Sequence, residues 1–162
     1  MTLLIALMIS NSFAADPCEK AVQRAEKTGA ITFGGGDWSV VHSDSDTRYK
    51  TTVFREGLGP PLKAGWTMAT KLDDGTTLQL AIAEQADGLS RTDATGSFTH
   101  YEPSFVIPAE QVTALATSPM DAYRADLGSG GNVKPVPGAR AKKIHAAFQC
   151  IAAQSEAEVA SN

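Results

Sequence analysis

Apolar side chains recur along this chain with a helical period near the start, a strand period through the middle and a helical period again near the end. The opening residues stand apart. Residues 3–9 are apolar, no charged side chain precedes Asp16, and Ser12-Phe13-Ala14 places small residues at the two positions a signal peptidase reads. That apolar run is too short to cross a bilayer. Residues 1–14 are therefore expected to be a cleaved secretory signal, one without a basic side chain.

A helix with a marked start follows. Asp16 suits the N-cap, Pro17 the first helical position, and Glu19, three residues after the cap, the partner position of a capping box. Cys18, Ala21, Val22 and Ala25 share one face and Gly29 provides the stop, so Cys18 points inward.

Between residues 31 and 107 short alternating runs are broken by turn residues, which predicts an antiparallel sheet of five or six strands. Trp38, Val40 and His42 share a parity, as do Tyr49, Thr51 and Val53. The clearest hairpin joins Trp66, Met68, Thr70 and Leu72 to Leu78, Leu80 and Ile82 through Asp73-Asp74-Gly75. Phe98 with His100, and Phe105 with Ile107, extend the pattern. Two breaks interrupt it: residues 56–61, Glu-Gly-Leu-Gly-Pro-Pro, and the long polar stretch 84–96, from Glu84 to Gly96, which is the preferred place for a binding loop.

After Pro108 a short helix is expected, with Val112, Leu115 and Ala116 on its apolar face and Ser118-Pro119 closing it. A strand over 120–127 turns through the glycine run 128–132 into an edge strand at 133–136 containing Pro135. The last helix opens at Gly138 and buries Ile144, Ala147, Phe148 and Ile151. Cys150 lies at the margin of that stripe, and Arg140, Lys142 and Lys143 crowd the first turn, against the helix dipole, where they read as a solvated face. The pattern gives an α+β fold: an antiparallel β-sheet, curled or sandwich-like, packed with an N-terminal and a C-terminal helix that Cys18 and Cys150 join by a disulfide. Residues 15–153 form a single globular domain and 154–162 a flexible tail.

Composition narrows the function classes. The formal net charge is -4 and the expected signal holds no Lys, Arg, Asp or Glu, so the mature domain is mildly acidic and offers nothing to phosphate backbones. Two cysteines far apart in an exported chain most simply pair with each other. The expected compartment is periplasmic or secreted, with no stable membrane insertion once the signal is removed.

Apparent motifs fail on their mechanics. Asp44-Ser45-Asp46 opens like a calcium loop, but Arg48, Tyr49 and Arg55 occupy ligand and turn positions. The glycine run lacks the Lys-Ser/Thr pair of a phosphate loop. His100-Tyr101-Glu102 is not followed by the Pro-Cys-x-x-Cys of a zinc deaminase. There is no Gly-x-Ser-x-Gly elbow and no Ser-x-x-Lys.

His42, His100 and His145 are the side chains with ordinary pKa values near neutrality, and none has a local catalytic context. His42 and His100 share parity with Trp38 and Phe98, which assigns them to packing at the core edge, and His145 is half exposed. No catalytic residue, metal ligand or cofactor is assigned, and the expected partner is another envelope protein. The reading is a protein-binding module of the cell envelope, of inhibitor or immunity type. The alternatives are a small periplasmic hydrolase with a spatially assembled His/Asp/Ser site, and a small-molecule carrier.

Overall fold

The computed structural model describes residues 16–44, 46–125 and 133–161. The expected signal, Ser45, the end of the strand expected over 120–127 and the whole glycine run 128–132 lie outside the described residues. Helix α1 (Pro17–Thr28) begins and ends as its side chains dictate. Asp16 Oδ1 accepts from the Cys18 backbone N–H at 3.1 Å, and Gly29 closes the helix at φ 74° with its N–H on the Ala25 carbonyl. The reciprocal half of the capping box is absent. Glu19 accepts instead from Gln23 Nε2, one turn on, at 3.3 Å.

Among the described residues nine strands, where five or six were expected, run from β1 to β9: Ile31–Gly35, Trp38–Ser43, Asp46–Thr51, Val53–Glu56, Thr67–Leu72, Thr77–Ile82, Leu89–Asp93, Gly96–Tyr101 and Ser104–Val106. Helix α2 (Ala109–Thr117), β10 (Met120–Ala125), β11 (Val133–Pro135) and α3 (Gly138–Ser161) follow. The main sheet has the order β1-β2-β3-β9-β6-β5-β10-β11 and a smaller one the order β4-β8-β7, every pairing antiparallel. One extra strand, β4, comes from a break at Thr52 inside a run that periodicity joins; β1 and β7 lie outside the runs that alternation marks.

The hairpin through Asp73-Asp74-Gly75 is β5–β6, with Met68 opposite Leu80 and Thr70 opposite Leu78. Met68, Thr70, Leu72, Leu80 and Ile82 are buried, while Trp66 and Leu78 pack at the margin. Its tip is docked: Asp73 N–H donates to the Pro119 carbonyl at 3.0 Å, Asp74 N–H to Ser118 Oγ at 3.2 Å, and the Ser118 hydroxyl to Asp73. Val40, His42, Tyr49, Thr51, Val53, Phe105 and Ile107 are buried with the expected parity.

In β8 the parity is reversed. Thr99 and Tyr101 are fully buried, and Phe98 and His100 stand on the other face. Each parity of this strand carries an aromatic ring, so alternation alone does not choose between them. The choice is made by partners that arrive from residues 57–60. Thr99 Oγ1 donates to the Gly57 carbonyl at 2.8 Å and accepts from Gly59 N–H at 3.0 Å, and the Tyr101 hydroxyl donates to the Pro60 carbonyl at 2.9 Å.

Helices α2 and α3 pack on each other, and α3 lies over β1, β2 and β10. Ile144, Ala147, Phe148 and Ile151 are buried as the stripe predicts, and Val112 and Leu115 of α2 face them. The Cys18 and Cys150 Cα atoms are 5.6 Å apart and their sulfurs are bonded, which ties α1 to α3 across 132 residues. One expectation for the last helix changes. Arg140 is not on a solvated face: it bonds Asp37 Oδ2 at 2.9 Å, the Asp37 carbonyl at 3.2 Å and Thr51 Oγ1 at 2.6 Å, fastening the start of α3 to the β1–β2 turn. Ala, Glu and Gln near the end of α3 favour helix.

Candidate functional site

The most distinctive local geometry is a kink shared by two strands. Lys50 pairs with Ser104 in the β3–β9 ladder and Val53 pairs with Tyr101 in the β4–β8 ladder. Each strand has advanced three residues between those pairs, so one continuous register runs through both sheets. The ladder breaks at Thr52 and Pro103. Proline has no N–H to give the ladder, and Thr52 N–H turns away to the Asp37 carbonyl at 3.0 Å. The smaller sheet is therefore the far half of a bent ribbon, with β7 added along one side.

On the outer side of the bend the alternation brings Lys50, Phe54, His100 and Glu102 to one face. Lys50 Nζ lies 2.7 Å from Glu102 Oε2, and His100 Nε2 lies 3.5 Å from Glu102 Oε1. Lys50, through its hydrogen bond and its charge, and then His100 hold the Glu102 carboxyl below the usual carboxylate range. Beside this group an open cleft of about 510 Å³ is bounded by Glu84, Asp87 and Leu89 on one side and Lys50, His100 and Glu102 on the other. Across the small sheet Leu89, His100 and Phe54 stand in one cross-strand row. The Phe54 and His100 rings are 5.5 Å apart, and Lys134 Nζ of β11 lies 5.8 Å from the centre of the Phe54 ring. Phe54 is 51% and Leu89 64% exposed, which is unusual for large apolar side chains standing in one row.

The stretch expected to be a binding loop is only partly a loop. Residues 84–88 pass along the cleft with Ala86 bridged to Leu62, and 89–93 form β7, whose turn closes as Asp93 accepts from Thr95 N–H at 2.8 Å. All five residues of β7 are exposed. A strand was hidden there because polar Ser90, Arg91, Thr92 and Asp93 show no alternation; pairing to β8 holds them extended.

The three histidines are not brought together in one site. Buried His42 is 2.8 Å from Thr47 Oγ1, an interior strand pair. His145 Nδ1 donates to the Leu115 carbonyl at 2.9 Å and joins α3 to α2. Only His100 borders the cleft. Asp44 sits at φ 50° in the β2–β3 turn, and Asp46 is engaged by Arg48 at 2.7 Å. Among the described residues no three His, Cys, Asp or Glu side chains are grouped so as to hold a metal ion, and no helix is long and apolar enough to cross a membrane.

No family model, no curated protein and no solved structure matches this chain. Its function has to be argued from its own surface. Lys50, Phe54 and Glu102 have no motif to announce them. Their signal in the sequence is an alternation, Lys50 to Phe54 and His100 to Glu102, that becomes a shared face only once the register across Pro103 is known.

Proposed function

We propose that this domain is an exported protein-binding module, acting in the periplasm or outside the cell, and that it recognises its partner through the outer face of the β4-β8-β7 sheet and the adjoining cleft. The single observation that carries the reading is the row in which exposed Leu89 and Phe54 flank half-buried His100, beside a cleft bordered by more carboxylates than cations. A solvent-facing sheet surface ordinarily carries polar side chains. Rows of apolar and aromatic groups rimmed by charge are the usual composition of a recognition surface. The disulfide supports an oxidising compartment. A rigid domain of formal charge -4 suits an inhibitor or immunity role against a basic protein of the same compartment.

The test is affinity capture from the envelope fraction by the oxidised domain, run in parallel with Phe54→Ser and Leu89→Asp variants that keep the parent melting temperature. One partner recovered in near-equal amount, lost with either variant and weakened by salt, is the expected result. Hydrolytic turnover by the purified domain that disappears in a folded His100→Ala variant would overturn the reading in favour of a hydrolase.

A further inference from the structure

The two sheets have four outer edges. The β1 edge is packed by α1. The β11 edge is three residues long and ends in Pro135. The β4 edge is four residues long, with Lys134 Nζ 5.8 Å from the centre of its Phe54 ring. The β7 edge is the longest left uncovered: it is five residues long, fully exposed and without proline, and its two charged side chains, Arg91 and Asp93, share the Leu89 face and leave the backbone groups of the edge open. An unprotected edge of this kind is a template for another strand, and folded proteins ordinarily blunt it.

The register says which groups it presents. Asp93 faces Gly96 across a two-residue turn, so Asp93, Arg91 and Leu89 fall at hydrogen-bonded pairs and Thr92 and Ser90 at the closer, non-bonded ones. The side chains agree, since Ser90 Oγ is 2.9 Å from Thr99 Oγ1 and Thr92 Oγ1 is 2.8 Å from Ser97 Oγ. The N–H and C=O groups of Ser90 and Thr92 therefore point to the open side.

Charge identifies the occupant. At the cleft that begins at Leu89, Lys50 and Glu102 are paired with each other at 2.7 Å, which leaves the carboxylates of Glu84 and Asp87 to meet an incoming cation. Glu84 reaches Arg48 only at 3.8 Å, and Asp87 accepts from the neutral Gln85 amide at 3.1 Å. A strand laid along β7 would continue the Phe54, His100 and Leu89 row with its own side chain; its next side chain on that face would stand opposite Arg91 in one direction and, in the other, at the cleft that Asp87 and Glu84 border.

We infer that the β7 edge binds an extended segment of a partner protein by strand addition, the segment carrying an apolar side chain opposite Leu89 and a Lys or Arg that enters the cleft. This deepens the proposed function and rests on it. Main-chain bonds to Ser90 and Thr92 would supply affinity, and the apolar row and the cleft would select the sequence.

The test uses the oxidised domain with two synthetic probes of alternating pattern, one carrying Lys and Val and the other with each Lys replaced by Glu. The Lys probe is expected to bind, to slow exchange of the Ser90 and Thr92 amides at least tenfold, and to lose tenfold or more in affinity in Thr92→Pro, which removes an outward N–H. Asp87→Lys, an exposed substitution outside the strand, should weaken it similarly and serves where Thr92→Pro fails to fold. Absence of binding by the Lys probe, equal binding of the Glu probe, or binding with β7 exchange unchanged would overturn the inference. A concentration-dependent dimer abolished by Thr92→Pro would assign the edge to a second copy and overturn it also. An envelope partner captured equally by parent and folded Thr92→Pro would refute strand addition while leaving the binding-module reading intact; no capture by the parent would remove that reading itself.

Discussion

At the scale of single residues, Thr99 has the largest structural consequence for its size. Its one hydroxyl serves the Gly57 carbonyl, the Gly59 N–H and Ser90, and it is fully buried. Thr99→Val keeps the shape and strands those partners, so it should cost about 2 kcal/mol, read as a lower denaturation midpoint with unchanged slope. Glu102 gives a pH prediction. Its pKa is depressed in the folded state, chiefly by Lys50, so its contribution to stability is present above the ordinary carboxylate range and is lost as pH falls through the depressed value. Asp74 and Asp93, held down by Thr76 and Thr95 in their turns, act in the same direction. The domain should therefore lose stability below about pH 4 and change little between neutrality and pH 5. Lys50→Met should move the Glu102 titration upward, toward the ordinary range, in a carboxyl-resolved NMR experiment; an unmoved titration would separate the two groups. None of these roles is visible in the sequence, where Thr99 is one polar residue among many. Its importance comes from contacts about 40 residues away along the chain.

At the scale of elements, α1 and α3 differ in what holds them. The α3 stripe is buried over several turns, whereas in α1 only Ala21 is fully buried. Docking of α1 is accordingly left largely to the disulfide, which closes a loop worth at most about 4–5 kcal/mol in the chain-entropy model. Reduction should release α1 first: amide exchange across Pro17–Thr28 should accelerate while β5 and β6 remain protected. Simultaneous loss of protection in α1 and the sheet would show that the bond supports the whole domain. Both helices and the β5–β6 hairpin are legible in the sequence because each has local determinants: a cap, a stripe, a glycine at φ 89°. Strand β7 is not, because its extended form is imposed by β8.

At the scale of the whole molecule, the kinked ribbon makes two sheets into one unit. Since β3 continues into β4 and β8 into β9 in one register, the smaller sheet has no independent boundary. Unfolding followed by far-ultraviolet dichroism and by tryptophan fluorescence should give coincident transitions; separated midpoints would mean that the sheets fold independently. The sequence by itself determines the α+β class, the two packed helix stripes, the principal hairpin, the Pro135 edge and the pairing of two cysteines. Each follows from periodicity, capping or residue type, which act over a few positions, or from the presence of only two thiols. Only the tertiary structure decides the face on which Phe98 and His100 stand, the partners of Arg140, the continuation of register past Pro103 and the exposure of the β7 edge. Those depend on which distant segment arrives to satisfy a hydroxyl, a carbonyl or an open ladder, and local alternation is equally compatible with either answer.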